Sequence, residues 1–199
     1  GGAAPRERRL TGAAADKARE RTLMVITKAN ARSTVHRQVR LAYVGIKTFD
    51  ADGAVVGEHR FLGLFTVGAY ISSVREVPYL REKVDRVLSG SGFAPDSHLA
   101  KDLLSVLEGY PRDELFQADI DDLARISREV VRLRERPGTR LFLRPDVYGR
   151  FMSCLVFLPR DRYTTAVRTR IQDLLLDAFD AVDLDYTTQV SDGPLARLH

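Results

Sequence analysis

Two runs rich in β-branched and aromatic residues, 39–49 and 54–65, flank the tetrapeptide Asp50-Ala51-Asp52-Gly53, and this arrangement constrains the fold more than any other feature of the chain. An Asp-Gly step supplies the positive φ of a tight turn, so the two runs are expected to return on each other as an antiparallel pair. The apolar run at 23–26 reads as a further strand. Along 39–49, Leu41, Tyr43 and Phe49 share a face that Lys47 interrupts, which leaves one face of the sheet open to water.

Helical spacing takes over after Tyr70. Ser73 and Glu76 are placed as a capping box ahead of a stripe of Leu80, Val84, Val87 and Leu88, which Gly90, Gly92 and Pro95 end. Asp96 or Ser97 caps a second helix with Leu99, Leu103, Leu104 and Leu107 in line, before Gly109 and Pro111. Asp119 caps a third, along Ile120, Leu123, Ile126, Val130 and Leu133, closed by Pro137-Gly138. Strands at 139–144 and 150–158 then flank a turn around Pro145-Asp146 and Gly149. Thr164 or Thr165 caps the cleanest amphipathic helix of the chain, with Val167, Ile171, Leu174, Leu175, Ala178 and Phe179 on one side. Residues 182–190 alternate imperfectly as a strand, and 195–198 opens another.

Organisation follows from these patterns. Residues 1–22 are small and charged and read as a linker or a lone solvated helix. An antiparallel sheet module occupies 23–70, a helical segment 71–138, and a second strand-containing module 139–199, a mixed α/β or α+β class overall. With 44% hydrophobic and 29% charged residues the chain has the composition of an ordinary globular protein. No apolar run approaches the roughly 20 residues of a membrane span, and 1–22 is charged where a signal peptide is apolar, so a cytoplasmic location and no membrane partner are expected.

Catalytic patterns are not met. Gly90-Ser91-Gly92 begins like a dinucleotide loop, but it follows a helix and Pro95 stands where a third glycine belongs. His36, His59, His98 and His199 are scattered, and Asp119, Asp121 and Asp122 suit a helix start better than a metal. Ser72, Ser73, Ser97 and Ser153 are accounted for by caps, turns or strand positions, and Asp183 and Asp185 by a solvated strand face. Cys154, the single cysteine, lies in an apolar run and reads as a small core residue. The expectation is no catalytic residue, no metal and no cofactor in this chain. Lys plus Arg number 31 against 27 acids, a net +4 too small to signal nucleic acid. Arginines at 6–9, 132–136 and 160–170 leave a stand-alone signalling or nucleic-acid-binding module as the rival reading. The bridge Pro159-Arg160-Asp161-Arg162-Tyr163, between a buried strand and a capped helix, is where polar groups and helix-start amides can meet a carboxylate or phosphate.

Four strings, TKANARSTVHR (27–37), YVGIKTFDADGAVVGEHRFLGLFT (43–66), YPRDELFQ (110–117) and GRFMSCLVFLPRDRY (149–163), resemble the large bacterial NAD-dependent glutamate dehydrogenases, from Leu23 to His199. The resemblance implies a piece of the amino-terminal, non-catalytic, ACT-domain-containing half of an enzyme that oxidises L-glutamate to 2-oxoglutarate and ammonia with NAD. It implies partners in the remaining domains of that chain, a homo-oligomer, and an amino-acid effector. Residues 139–199 are then a ferredoxin-like βαββαβ ACT domain cut after its third strand begins, with Arg160, Asp161, Arg162 and Tyr163 as the effector-binding loop.

Overall fold

A computed structural model of the chain describes residues 12–34 and 39–199; His36 and the arginines at 6–9 lie outside the described residues. The chain forms two compact units, one comprising the residues up to Gly68 with Pro145–Phe151, the other Ala69–Arg144 with Met152–His199.

The first unit is built on a three-stranded antiparallel meander, β1 (Met24–Arg32), β2 (Arg40–Phe49) and β3 (Val55–Gly63), in that spatial order. The expected turn closes β2 on β3: Gly53 takes φ 75°, and the Asp50 carboxylate accepts the amides of Asp52 at 3.0 Å and Ala54 at 2.8 Å. Lys47, expected to wet one face, is instead 3% exposed. Its ammonium donates to the carbonyls of Lys17 (3.0 Å) and Glu20 (2.7 Å) at the end of α1 (Ala13–Arg19), a second donor for carbonyls that also accept the amides of Glu20 and Thr22. The segment 145–151 joins this unit through Asp146, whose carboxylate accepts from the Thr27 hydroxyl, the Tyr148 and Arg150 amides and the Arg150 guanidinium. Arg150 donates onward to the Lys28 carbonyl at 2.7 Å. Burial opposes ionisation of Asp146, and the bonds from Arg150 and Thr27 overcome it, holding the carboxyl below its ordinary value.

After α2 (Val67–Ile71), the second unit packs α3 (Pro78–Ser89), α4 (His98–Glu108), α5 (Arg112–Gln117) and α6 (Ile120–Glu135) around Leu80, Val84, Leu103, Leu107, Leu115 and Leu123, all fully buried. Ser97 and Asp119 cap α4 and α6 through the amides of Ala100 and Asp122. The capping box at α3 does not form. Ser73 gives its hydroxyl to Glu108 at 2.6 Å, and the helix begins four residues later than a Ser73 cap would require, with Val77 as N-cap and Pro78 at its first position.

A four-stranded sheet completes this unit, ordered β4 (Arg140–Pro145), β5 (Met152–Pro159), β7 (Leu195–Leu198), β6 (Thr188–Val190). β7 is antiparallel to both β5 and β6, so β5 and β6 run parallel with α7 (Thr165–Phe179) between them in sequence, a split βαβ unit. Thr164 caps α7 through the Val167 amide. The two strands expected to flank the turn at Gly149 (φ 67°) do so, β4 lying beside β5 in the sheet. The structure departs from expectation in two places, the 182–190 strand and the burial of α7. The 182–190 strand shrinks to Thr188–Val190, which leaves Asp183 and Asp185 outside any strand. The amphipathic helix α7 has no fully buried residue: Leu174 is 51% and Phe179 38% exposed.

Lys83, on α3, is 6% exposed and donates to three carbonyls at the end of α5: Leu115 (2.9 Å), Phe116 (2.9 Å) and Ala118 (2.6 Å). Burial pulls its pKa down to about 8, with Asp119 opposing, so the group remains charged at neutral pH. Replacing it by methionine keeps the volume but removes the ammonium donor from those carbonyls. Lys83→Met is expected to lower stability by about 2–3 kcal/mol, read as a reduced urea midpoint at unchanged slope; an unchanged midpoint would show that the three bonds contribute nothing net.

Candidate functional site

The loop singled out in the sequence folds as a single 3-10 turn, Arg160–Arg162, leading into the Thr164 cap of α7. Arg160, Asp161 and Arg162 are exposed and Tyr163 half-buried. Arg160 is tied to the connection between β6 and β7: its amide donates to the Pro194 carbonyl (2.9 Å), its guanidinium to the Ser191 carbonyl (3.2 Å), and Asp192 lies 3.9 Å away. The turn is thus braced on one side and open to solvent on the other.

A constellation that sequence reasoning missed lies under the sheet. Glu114, on α5 and 5% exposed, meets Arg144 of β4 in a two-point ion pair, Nε to Oε2 at 2.8 Å and a terminal nitrogen to Oε1 at 2.7 Å. His199 Nε2 lies 3.6 Å from Glu114 Oε1 and 3.0 Å from Ser153 Oγ. Serine, histidine and acid here share one imidazole nitrogen, whereas a nucleophilic relay needs the acid on the other nitrogen to orient the ring. The cluster is therefore structural. Burial works against the Glu114 carboxylate, but the bonds from Arg144 and His199 prevail and hold its pKa down to about 2. The one signal for it in the sequence is an acid placed between Arg112 and the apolar pair Leu115-Phe116.

A cleft lies elsewhere in the same unit. It has a volume of about 320 Å³ and is bounded by the ends of α4 and α6, by β5, and by the β6–β7 connection. Arg134, from the arginine stretch 132–136, and Arg197, which was not singled out in the sequence, both line it.

Other sequence candidates have ordinary roles. Gly90-Ser91-Gly92 is the exit of α3, with Gly92 at φ 76°. No strand leads into it, so these residues do not fit the phosphates of a nicotinamide dinucleotide. Asp119 is the cap of α6 and Asp122 pairs with Arg125. Arg132 pairs with Glu129, and Arg168 bonds Gln172 and stacks over Tyr186 at 4.8 Å, the behaviour of solvated helix faces. Cys154 is half-buried, and burial pushes its thiol pKa up, away from reactivity.

The parallel pair with its intervening helix, packed in one unit with four helices, defines an ACT-type α+β module joined to a helical motif. Residues 140–199 match the family described as glutamate dehydrogenase, ACT2 domain, and residues 77–136 match glutamate dehydrogenase, helical motif 1. The chain is 45% identical over 176 residues to the NAD-specific glutamate dehydrogenase of Halomonas elongata, covering 88% of this chain and 11% of that protein. It is 44% identical over 180 residues to that of Pseudomonas aeruginosa, covering 90% and 11%, and 38% identical over 177 residues to that of Mycobacterium tuberculosis, covering 89% and 11%. Residues 77–136 and 140–199 thus belong to glutamate dehydrogenase domain families. The chain spans about 11% of the length of these relatives. Nothing in these matches supports the stand-alone nucleic-acid-binding reading.

The depressed acidity of Glu114 sets a pH dependence. An unfolded glutamate titrates near 4.5 and the folded one near 2, so the folded chain resists protonation there. The stabilisation, on the order of 3 kcal/mol, is fully present above pH 4.5 and is lost as the pH falls towards 2. Urea unfolding at several pH values is expected to show Glu114→Gln much less stable than the parent at pH 6, with the gap closing across that window. A gap that stays constant would rule this out.

Proposed function

We propose that this chain is a non-catalytic regulatory and scaffolding segment of an NAD-dependent glutamate dehydrogenase, the enzyme that converts L-glutamate, NAD and water to 2-oxoglutarate, ammonia and NADH. Under this reading, NAD and the glutamate chemistry belong to other domains of the parent chain. The segment serves subunit assembly in a homo-oligomer, and an amino-acid effector binds at Arg160, Asp161, Arg162 and Tyr163. Residues 1–22 are a linker or solvated helix, 23–70 a sheet module, 71–138 a helical segment and 139–199 an ACT-like domain.

The observation that carries the scaffolding role is the state of α7. Its stripe of Val167, Ile171, Leu174, Leu175 and Phe179 has the spacing of a core-facing surface, yet none of these residues is fully buried. A helix patterned in this way normally buries that stripe, and an exposed apolar strip of such length is suited to contact with another protein surface. The effector role is supported by the exposed guanidinium groups of Arg160 and Arg162, four and two residues before the Thr164 cap of α7, where amides and positive charge favour a carboxylate.

Both halves can be tested on the full-length enzyme that contains the segment. Leu174→Asp combined with Phe179→Asp is expected to shift sedimentation to a smaller species; an unchanged oligomer would end the scaffolding reading. Calorimetric titration with the common amino acids is expected to find one that binds, with affinity reduced about tenfold by Arg160→Ala. An absence of heat with every amino acid would end the effector reading.

A further inference from the structure

Arg197 is an anomaly in charge balance. It projects from β7 between Ala196 and Leu198, which are 0% and 3% exposed, and its Nε is shielded from water with no hydrogen-bond partner. One terminal nitrogen donates to the Gly109 carbonyl at the end of α4. Among the described residues no carboxylate pairs with it. Burial alone pulls its pKa down to about 10, opposed only by Tyr110. A desolvated guanidinium without an anion costs several kcal/mol, and proteins ordinarily pair or neutralise such a charge.

The second observation is position. Arg197 lines the cleft of about 320 Å³, a volume within the range of small-molecule sites. Arg134, in the last turn of α6, lines it too; its recorded partner is the Ser105 hydroxyl at 3.2 Å, again not an acid. Gln189 and Ser191 add neutral hydrogen-bonding groups, and Phe157 an apolar wall. No aspartate or glutamate is among the lining residues.

We propose that this cleft is a binding site for a small organic carboxylate, held by the guanidinium groups of Arg134 and Arg197 with its carbon skeleton against Phe157. The planar fork of arginine matches a carboxylate at two points. The apolar wall suits a carbon chain better than a fully hydrated inorganic ion. The missing acid matters as much as the two bases, because an α-ammonium group would find no counter-charge. The site therefore selects aliphatic di- or keto-acids over the amino acids of the same skeleton. It is distinct from the 160–163 turn, and the inference stands on the cleft's own residues whatever the role of that turn.

The test is calorimetric titration of the 199-residue chain at low salt with succinate, L-aspartate and inorganic phosphate. Succinate is expected to bind, and L-aspartate and phosphate each to bind at least about tenfold more weakly. Arg197→Met and Arg134→Met should each weaken succinate about tenfold or more. Arg132→Met, whose guanidinium pairs with Glu129 on the same helix, should leave it unchanged. Arg134 is half-buried at a helix end, so its variant keeps the fold and carries the test if Arg197→Met does not. The proposal is overturned if succinate gives no heat at millimolar concentration, or if Arg134→Met binds it as the parent does. Phosphate binding as tightly as succinate overturns the carboxylate class, and tighter binding of aspartate overturns the selectivity.

Discussion

The Glu114–Arg144 pair is the interaction on which the second unit depends. It connects α5 to β4, and so joins the helical residues to the sheet through two desolvated charges instead of through packing alone. A buried pair of this kind gains little over a well-packed apolar contact, but its loss on one side leaves an uncompensated charge and is costly. It therefore acts more through register than through net energy. The carboxylate is also the point at which His199, and through it Ser153 of β5, enter the network. Both the sheet's edge strand and its interior are thereby referred to one side chain of a six-residue helix.

A second theme is the use of buried lysine at helix ends. Lys47 in the first unit and Lys83 in the second each lie almost wholly inside, and each spends its ammonium on backbone carbonyls of another element's last turn. Lysine suits this task because its charge sits on a flexible stem with three freely rotating donors, which can follow carbonyls that splay as a helix ends. The charge is favoured by the negative end of the helix dipole, and at Lys83 by Asp119 and Glu114 as well.

Much of the architecture was legible because it rests on local rules. Asp-Gly at 52–53, the caps Ser97, Asp119 and Thr164, and the apolar stripes of α3, α4 and α6 each declare themselves within a few residues. What escaped is non-local. Ser73 carried the spacing of a capping box, but Glu108, 35 residues away, competes for its hydroxyl. Lys47 looked like a solvent-facing interruption because its acceptors belong to α1. The family strings held the decisive residues, Thr27, Glu114, Arg150 and Ser153, yet a string does not say that Glu114 meets Arg144 or that Arg150 reaches the Lys28 carbonyl. Arg134 and Arg197 were the hardest to foresee. Their distinguishing property is the lack of an acidic partner, which no spacing along a chain can reveal.

The shortness of α5 has a consequence for how the second unit moves. Six residues are too few for a helix to persist in water by its own hydrogen bonds. Its carbonyl end is held by Lys83 and its side chain by Arg144, so α5 cannot fray without releasing both the helices and the sheet. The backbone amides of Leu115 and Ala118, which bond to Pro111 and Glu114, should therefore exchange with solvent deuterium only when the unit opens as a whole. This short helix is in that sense a latch, and the protection of its amides measures the cooperativity of the fold around it.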